Sequence, residues 1–100
     1  MILVYATCKN ESEAKDISKK LIGKRLIACS NYFPVKSIYK WNGRIVEDNE
    51  YMILLKTLNK NFEIIQREIE KMHSYEVPCI ERIDARANKK CEDWLNKEVR

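Results

Sequence analysis

The chain predicts an α+β fold of the ferredoxin-like sandwich class, β-α-β-β-α-β plus a C-terminal helix, with a long β-hairpin ribbon. Three observations predict it. Strand-like and helix-like patterns alternate in the order of the split β-α-β arrangement before a last helical stretch. Two apolar stripes at helical spacing, Ala14-Ile17-Leu21 and Phe62-Ile65-Ile69-Met72, each need a sheet face to cover them. Asn42-Gly43, between two long β-type runs, marks a two-residue hairpin, because both turn positions need φ > 0.

Each element follows from its own residues. Residues 2–7 form a nearly continuous apolar and β-branched run, the pattern of a central strand. Asn10-Glu11-Ser12-Glu13 is a capping box, and Gly23 supplies the stop of the helix that it opens. The ribbon then occupies residues 28–57. With Asn42 and Gly43 at the tip, Trp41 faces Arg44, Tyr39 faces Val46 and Ile38 faces Glu47. Trp41 beside Arg44 offers a cation–π contact. Arms of about 14 residues at roughly 3.3 Å per residue reach about 45 Å, against a diameter of roughly 34 Å for a body of this length. Pro34 is read as a bulge or bend that splits the first arm. The rest of the ribbon overhangs the body, carrying Tyr39, Trp41 and Ile45. An overhanging edge is a template for pairing with another chain, so the expectation is a homo-oligomer joined through the 28–57 ribbon.

Residues 51–55 are apolar on both faces and are expected inside the sheet. Asn59 or Asn61 is expected to cap the second helix, which ends near His73. After Pro78 the chain turns extended over residues 79–85, an edge strand. Asn88 then caps a short helix in which Cys91, Trp94, Leu95 and Val99 share a face.

One hundred residues make a single domain, 1–100. An apolar share of 45% and a charged share of 34% are those of a globular chain, and no apolar run approaches the length of a membrane span. No signal-peptide pattern precedes Ile2. Four cysteines without paired spacing are expected as reduced thiols, so a cytoplasmic address is expected. The net charge of +4 comes with Lys and Arg interleaved among Glu and Asp, a solvated surface rather than a basic footprint. Neither nucleic acid nor a membrane is expected as a partner.

The single histidine lies in His73-Ser74-Tyr75-Glu76-Val77-Pro78-Cys79. Imidazole, carboxylate and thiol within one short segment suit copper or zinc, because soft sulfur and imidazole nitrogen favour those ions. The antiparallel order gathers Cys8, the start of the first helix, His73, Glu76 and Cys79 at one end of the subunit, and leaves Cys29 near the opposite end. The plainer reading of the same segment is a helix C-terminus, with His73 bonded to the last carbonyls, Tyr75 packed and Pro78 fixing the exit. Cys29 and Cys91 also read as small buried apolar groups. Enzyme chemistry is not expected. A Cys–His nucleophile lacks a third group to orient the base, and with glycine only at 23 and 43 there is no phosphate-binding loop.

A family resemblance runs through these same residues. Arg25-Leu26-Ile27-Ala28-Cys29-Ser30-Asn31-Tyr32-Phe33-Pro34 resembles the R-L-A-A-C-x-N-x-x-P stretch of the CutA divalent-cation-tolerance proteins. Ser37-Ile38-Tyr39-Lys40-Trp41-Asn42-Gly43-Arg44-Ile45 is similar to that family's S-x-Y-x-W-x-G-x-I, and Glu47-Asp48-Asn49-Glu50 to its acidic continuation. His73 to Pro78 resembles H-P-Y-E-V-P, and Asp93-Trp94-Leu95 resembles the closing x-W-L. The resemblance implies a ferredoxin-like subunit in a homotrimer, tolerance to copper and other divalent cations, and copper or another divalent cation as the bound ion, with no organic cofactor. The candidate metal ligands are His73, Cys79, Glu76, Cys8 and Cys29, of which Cys29 and His73 match family positions. The alternative is a non-enzymatic signalling or scaffold trimer that binds a small molecule or a protein in its intersubunit clefts. The chain departs from the family pattern in three places. Ser74 replaces the usual proline, Cys79 stands where glutamate is common, and Ala6 lies where some bacterial members carry a cysteine.

Overall fold

The computed structural model describes residues 1–100. The elements are β1 (Ile2–Cys8), α1 (Glu11–Gly23), β2 (Cys29–Trp41), β3 (Arg44–Thr57), α2 (Phe62–Met72), β4 (Ile80–Asp84) and α3 (Lys89–Glu98), with a 3-10 turn at Asn59–Asn61 before α2. One four-stranded sheet has the order β2-β3-β1-β4, and every neighbouring pair is antiparallel. This is the expected ferredoxin-like topology. No helix is long and apolar enough to cross a membrane.

Alternation along the strands sets the core. Ile2, Val4, Ala6 and Cys8 of β1 and Ile53 and Leu55 of β3 turn to one face. There they meet Ala14, Ile17 and Leu21 of α1 and Ile65 and Ile69 of α2 in one buried cluster. The opposite face carries Leu3, Tyr5, Met52 and Leu54, which stay half-buried because neither of those helices covers it. The 51–55 run is thus interior on one side only.

The hairpin register is as the tip residues require: Trp41 pairs with Arg44, Tyr39 with Val46 and Ile38 with Glu47. Asn42 and Gly43 take φ of 51° and 77°, the left-handed values that a two-residue turn demands. β1 reaches only as far as Tyr51 along β3, so the distal part of the ribbon has no third strand beside it. The molecule extends 45 Å along its longest axis, against 25 and 21 Å in the other two.

Several local expectations are corrected. Pro34 marks neither bulge nor bend; it pairs with Tyr51 in an unbroken ladder. β2 is an edge strand, where a missing N–H on the free side deprives no neighbour. The stop of α1 is made by Arg25 rather than Gly23. Arg25 adopts φ of 58° while Leu26 N–H donates to Leu21 O and Arg25 N–H to Ile22 O, a Schellman arrangement. The Arg25 guanidinium then donates to the carbonyls of Lys97 and Glu98 at the end of α3, which ties this non-glycine turn in place. Asn61 does not cap α2; its buried amide donates to the carbonyls of Leu26 and Arg100. Asn88 precedes α3 without a side-chain cap, and Glu92 accepts from Ala87 N–H instead. Trp41 and Arg44 form no cation–π pair; the close ring pairs are Tyr32–Tyr51 and His73–Tyr75.

Candidate metal centre

The antiparallel order brings the end of β1, the start of α1 and the end of α2 to one end of the sheet. Asn10 caps α1 by accepting from Glu13 N–H at 2.9 Å. This places Glu13 in the first turn, where its Oε1 accepts from Lys9 N–H at 3.0 Å. α2 closes at His73, whose N–H donates to Ile69 O at 2.9 Å before the backbone turns extended. The imidazole does not return to its own helix, as the plainer reading of the segment required. It reaches the neighbouring strand, with Nε2 2.7 Å from Thr7 O, while Nδ1 accepts from Tyr75 N–H at 3.1 Å. An amide can only donate, so Nδ1 carries the lone pair and Nε2–H donates to Thr7. The His73 side chain is fully buried, and Nδ1 lies 3.9 Å from Glu13 Oε1.

Cys8 completes the group. The ligand atoms of Cys8, Glu13 and His73 all lie within 4.8 Å of one another, the one convergent set of such groups in the chain. Burial, followed by the nearby charges of Glu13 and Glu50, pushes the Cys8 thiol up to about 12. Burial also acts to raise the Glu13 carboxyl. The N–H groups of Lys9 and Ser74 and the hydroxyl of Ser74 outweigh it and hold Glu13 below its ordinary value. Sulfur, imidazole nitrogen and carboxylate oxygen form a donor set of the type that copper and zinc accept. The donor types therefore fit a divalent cation. A cation held by Cys8, Glu13 and His73 would need Cys8 as its thiolate and the Nδ1 lone pair that Tyr75 N–H now occupies.

Of the sequence-derived candidates, His73 and Cys8 come together and the other three do not. Cys79 is exposed, and its thiol donates to Glu81 Oε1 at 3.0 Å. Glu76 is exposed on the loop after His73. Cys29 sits at the far end of the sheet, paired with Lys56, with its Sγ 3.9 Å from Asn31 Oδ1. The residue missed is Glu13, which the sequence marks only as a helix-capping carboxylate. Its position at the start of α1, one loop after Cys8, was the signal available.

Beyond His73, the segment 74–79, Glu50 and the outer part of the β2 arm (Ser37, Ile38, Tyr39 and Trp41) line an open cleft of about 620 Å³ that reaches Tyr5 and Thr7 on the uncovered sheet face. Hydroxyl-to-carboxylate bonds tie its walls together. Tyr75 Oη donates to Glu50 Oε2 at 2.6 Å, Tyr39 Oη to Asp48 Oδ2 at 3.1 Å, and Tyr5 Oη to Glu81 Oε2 at 2.5 Å. Burial first, and then the bond to Glu50, pushes the Tyr75 hydroxyl well above its ordinary range. The Cys79 and Tyr5 hydrogen bonds lower the Glu81 carboxyl.

Residues 2–98 match the sequence profile of the CutA1 divalent ion tolerance protein family. A divalent-cation tolerance protein CutA from Thermotoga maritima is 46% identical over 80 residues, covering 80% of this chain and 79% of that protein. Among solved structures, CutA1 from Pyrococcus horikoshii superposes with a TM-score of 0.96 at 37% identity, covering 100% of this chain and 99% of that one. The structure described as the periplasmic divalent cation tolerance protein CutA from Archaeoglobus fulgidus gives 0.97 at 37% identity over 100% of both chains. Sequence, length and fold agree, and the chain belongs to the CutA1 divalent ion tolerance protein family.

Proposed function

We propose that this protein binds a divalent metal ion, copper foremost, in a cytoplasmic cation-tolerance or homeostasis role, and that it acts as a non-enzymatic homotrimer. The observation that carries the metal reading is the convergence of Cys8, Glu13 and His73 within 4.8 Å. The group is buried, combines soft and hard donors, and hangs on three separate elements, so an ion that bridges them also cross-links the end of the sheet to both helices. Glu76, Cys79 and Cys29 lie outside this set and are not ligands in the proposal. Four free cysteines accord with a reducing compartment.

The trimer reading rests on apolar surface that the single chain leaves uncovered. Ile38 and Ile45 are 71% and 79% exposed near the ribbon tip, and Tyr32 and Phe33 lie exposed on the β2 edge strand. Such a surface at an unpaired sheet edge is a site of association between chains.

The test titrates reduced, metal-free protein with Cu(I), Cu(II) and Zn(II) against a competing chelator, on samples whose mass is set by light scattering. Expected are a mass of three chains at micromolar concentration and tight stoichiometric binding. That binding is lost in Cys8→Ser and His73→Ala and retained in Cys79→Ser. Binding that survives both losses overturns the site, weak binding by the parent protein overturns the metal reading, and a monomer overturns the trimer.

A further inference from the structure

The Cys8, Glu13 and His73 group has no open way in. Cys8 is 0% exposed, and the side chains of His73 and Glu13 are 0% and 9% exposed. A cation reaches them only if part of the wall moves, and the parts of that wall are held with unequal firmness. β1 is a central strand paired on both sides, and α1 is anchored in the core by Ala14, Ile17 and Leu21. The stretch 74–79 between α2 and β4 belongs to no helix or strand. Two consecutive backbone donors fasten it to the group. Ser74 N–H donates to Glu13 Oε2 at 3.1 Å and Tyr75 N–H to His73 Nδ1 at 3.1 Å, with the Tyr75 ring centred 4.6 Å from the imidazole.

These two bonds are not equivalent. A carboxylate has enough lone pairs to accept from Ser74 and Lys9 and still ligate a cation. A neutral imidazole has one acceptor nitrogen, and here the other nitrogen is committed to Thr7 O. Tyr75 N–H thus holds the only lone pair that the ring can give. Nδ1 is also the nitrogen that faces Glu13, 3.9 Å from Oε1. Ligation through Nδ1 and the Tyr75 bond therefore exclude each other. All of these bonds lie within one chain, among β1, α1 and the turn after α2, and they do not depend on whether a second copy covers the ribbon or the sheet.

We propose that the 74–79 segment is the gate of the metal centre, with Tyr75 N–H as its latch. The cation is bound only after the latch leaves Nδ1, while Ser74, still bonded to Glu13, is the hinge that keeps the gate attached. This role rests on the metal reading of the same three side chains and adds which element moves and at which atom. Because binding requires opening, the observed rate levels off with rising metal concentration at a value set by the gate.

The experiment uses reduced, 13C,15N-labelled Cys79→Ser protein, which keeps all three ligands and removes an exposed thiol. Zinc on Cys8 is read from the 13C shift of its Cβ. The latch is read from the 15N–15N coupling across the Tyr75 N–H···Nδ1 bond. Expected are a measurable coupling in the metal-free protein and its loss with one equivalent of Zn(II). Stopped-flow mixing with Zn(II), followed through the proton that Cys8 releases to an indicator dye, is expected to show the plateau. Pro78→Gly, which frees the backbone at the far end of the gate, is expected to raise that plateau severalfold. Zinc on Cys8 with the coupling retained overturns the gate and leaves the metal reading standing, as does a rate that climbs linearly with zinc. Failure of zinc to reach Cys8 at all overturns the metal reading, and the gate falls with it. The coupling measurement needs no substitution in the turn, so a Pro78→Gly protein that fails to fold leaves the test intact.

Discussion

The two halves of β3 differ in everything except backbone pairing. In the body, β3 lies between β1 and β2, and Ile53 and Leu55 are fully buried beneath α1 and α2. In the ribbon the same strand keeps only β2 beside it, and Ile45 is 79% exposed. The ladder continues in constant register through both halves. Hydrogen-bonded pairing thus orders a strand without burying it, and the apolar contribution to stability is concentrated in the half that β1 and the helices cover. Glu50 stands at the border, the last buried residue before the ribbon leaves the body, and there the segment after His73 folds against it through Tyr75.

The largest expected effect tests this division directly. Ile53→Ala removes a fully buried side chain and is expected to cost about 2–5 kcal/mol in chemical denaturation. It should do so at every protein concentration. The matching truncation in the ribbon, Ile45→Ala, is expected to change the concentration-independent part of the stability by less than about 0.5 kcal/mol. Its effect falls on the concentration-dependent part that association contributes. An Ile45→Ala variant as damaged as Ile53→Ala under dissociating conditions would erase the distinction between the halves.

A smaller effect sharpens the account of the body's functional end. Glu13→Ala leaves the N–H groups of Lys9 and Ser74 without their acceptor and is expected to cost about 1–3 kcal/mol. The pH dependence carries a sign. The folded carboxyl lies below its unfolded value of 4.5, so its contribution is complete above that pH and lost as pH falls through the folded value. The acid limb of the stability profile should therefore flatten in Glu13→Gln. An unchanged limb would remove Glu13 from the buried network.

The smallest effect belongs to the ribbon tip. Gly43 sits at φ of 77°, and Gly43→Val is expected to cost roughly 1–2 kcal/mol of local turn stability. Because the tip is coupled to the body only through the two-stranded ladder, amide exchange should quicken near residues 38–47 while the protection of β1 is unchanged. Loss of protection in β1 would show that ribbon and body unfold as one unit.

Most of the fold was legible because each cue is local. The Asn42-Gly43 turn fixed the register of the hairpin, since two left-handed residues in succession permit one way of closing it. The Asn10–Glu13 box and the two apolar stripes located α1 and α2, and the element order limited the topology to one familiar sheet. The failures share a cause as well. Arg25 turns left-handed because its guanidinium caps α3, more than seventy residues away. Asn61 leaves its cap for carbonyls of distant residues, and Pro34 is harmless only because β2 is an edge. In each case the tertiary surroundings, a distant partner or a free sheet edge, overrode the local preference.

The functional end divides along the same line. By itself the sequence determined that one imidazole and Cys8 come to the same end of an antiparallel sheet, because strand direction follows from element order alone. Only the tertiary structure decided that Glu13 joins them, that Cys79 turns to Glu81 instead, and that Tyr75 N–H holds the lone pair of the imidazole. Side-chain direction at a helix end or a loop depends on which neighbours satisfy its hydrogen bonds, and those neighbours lie far away in the chain.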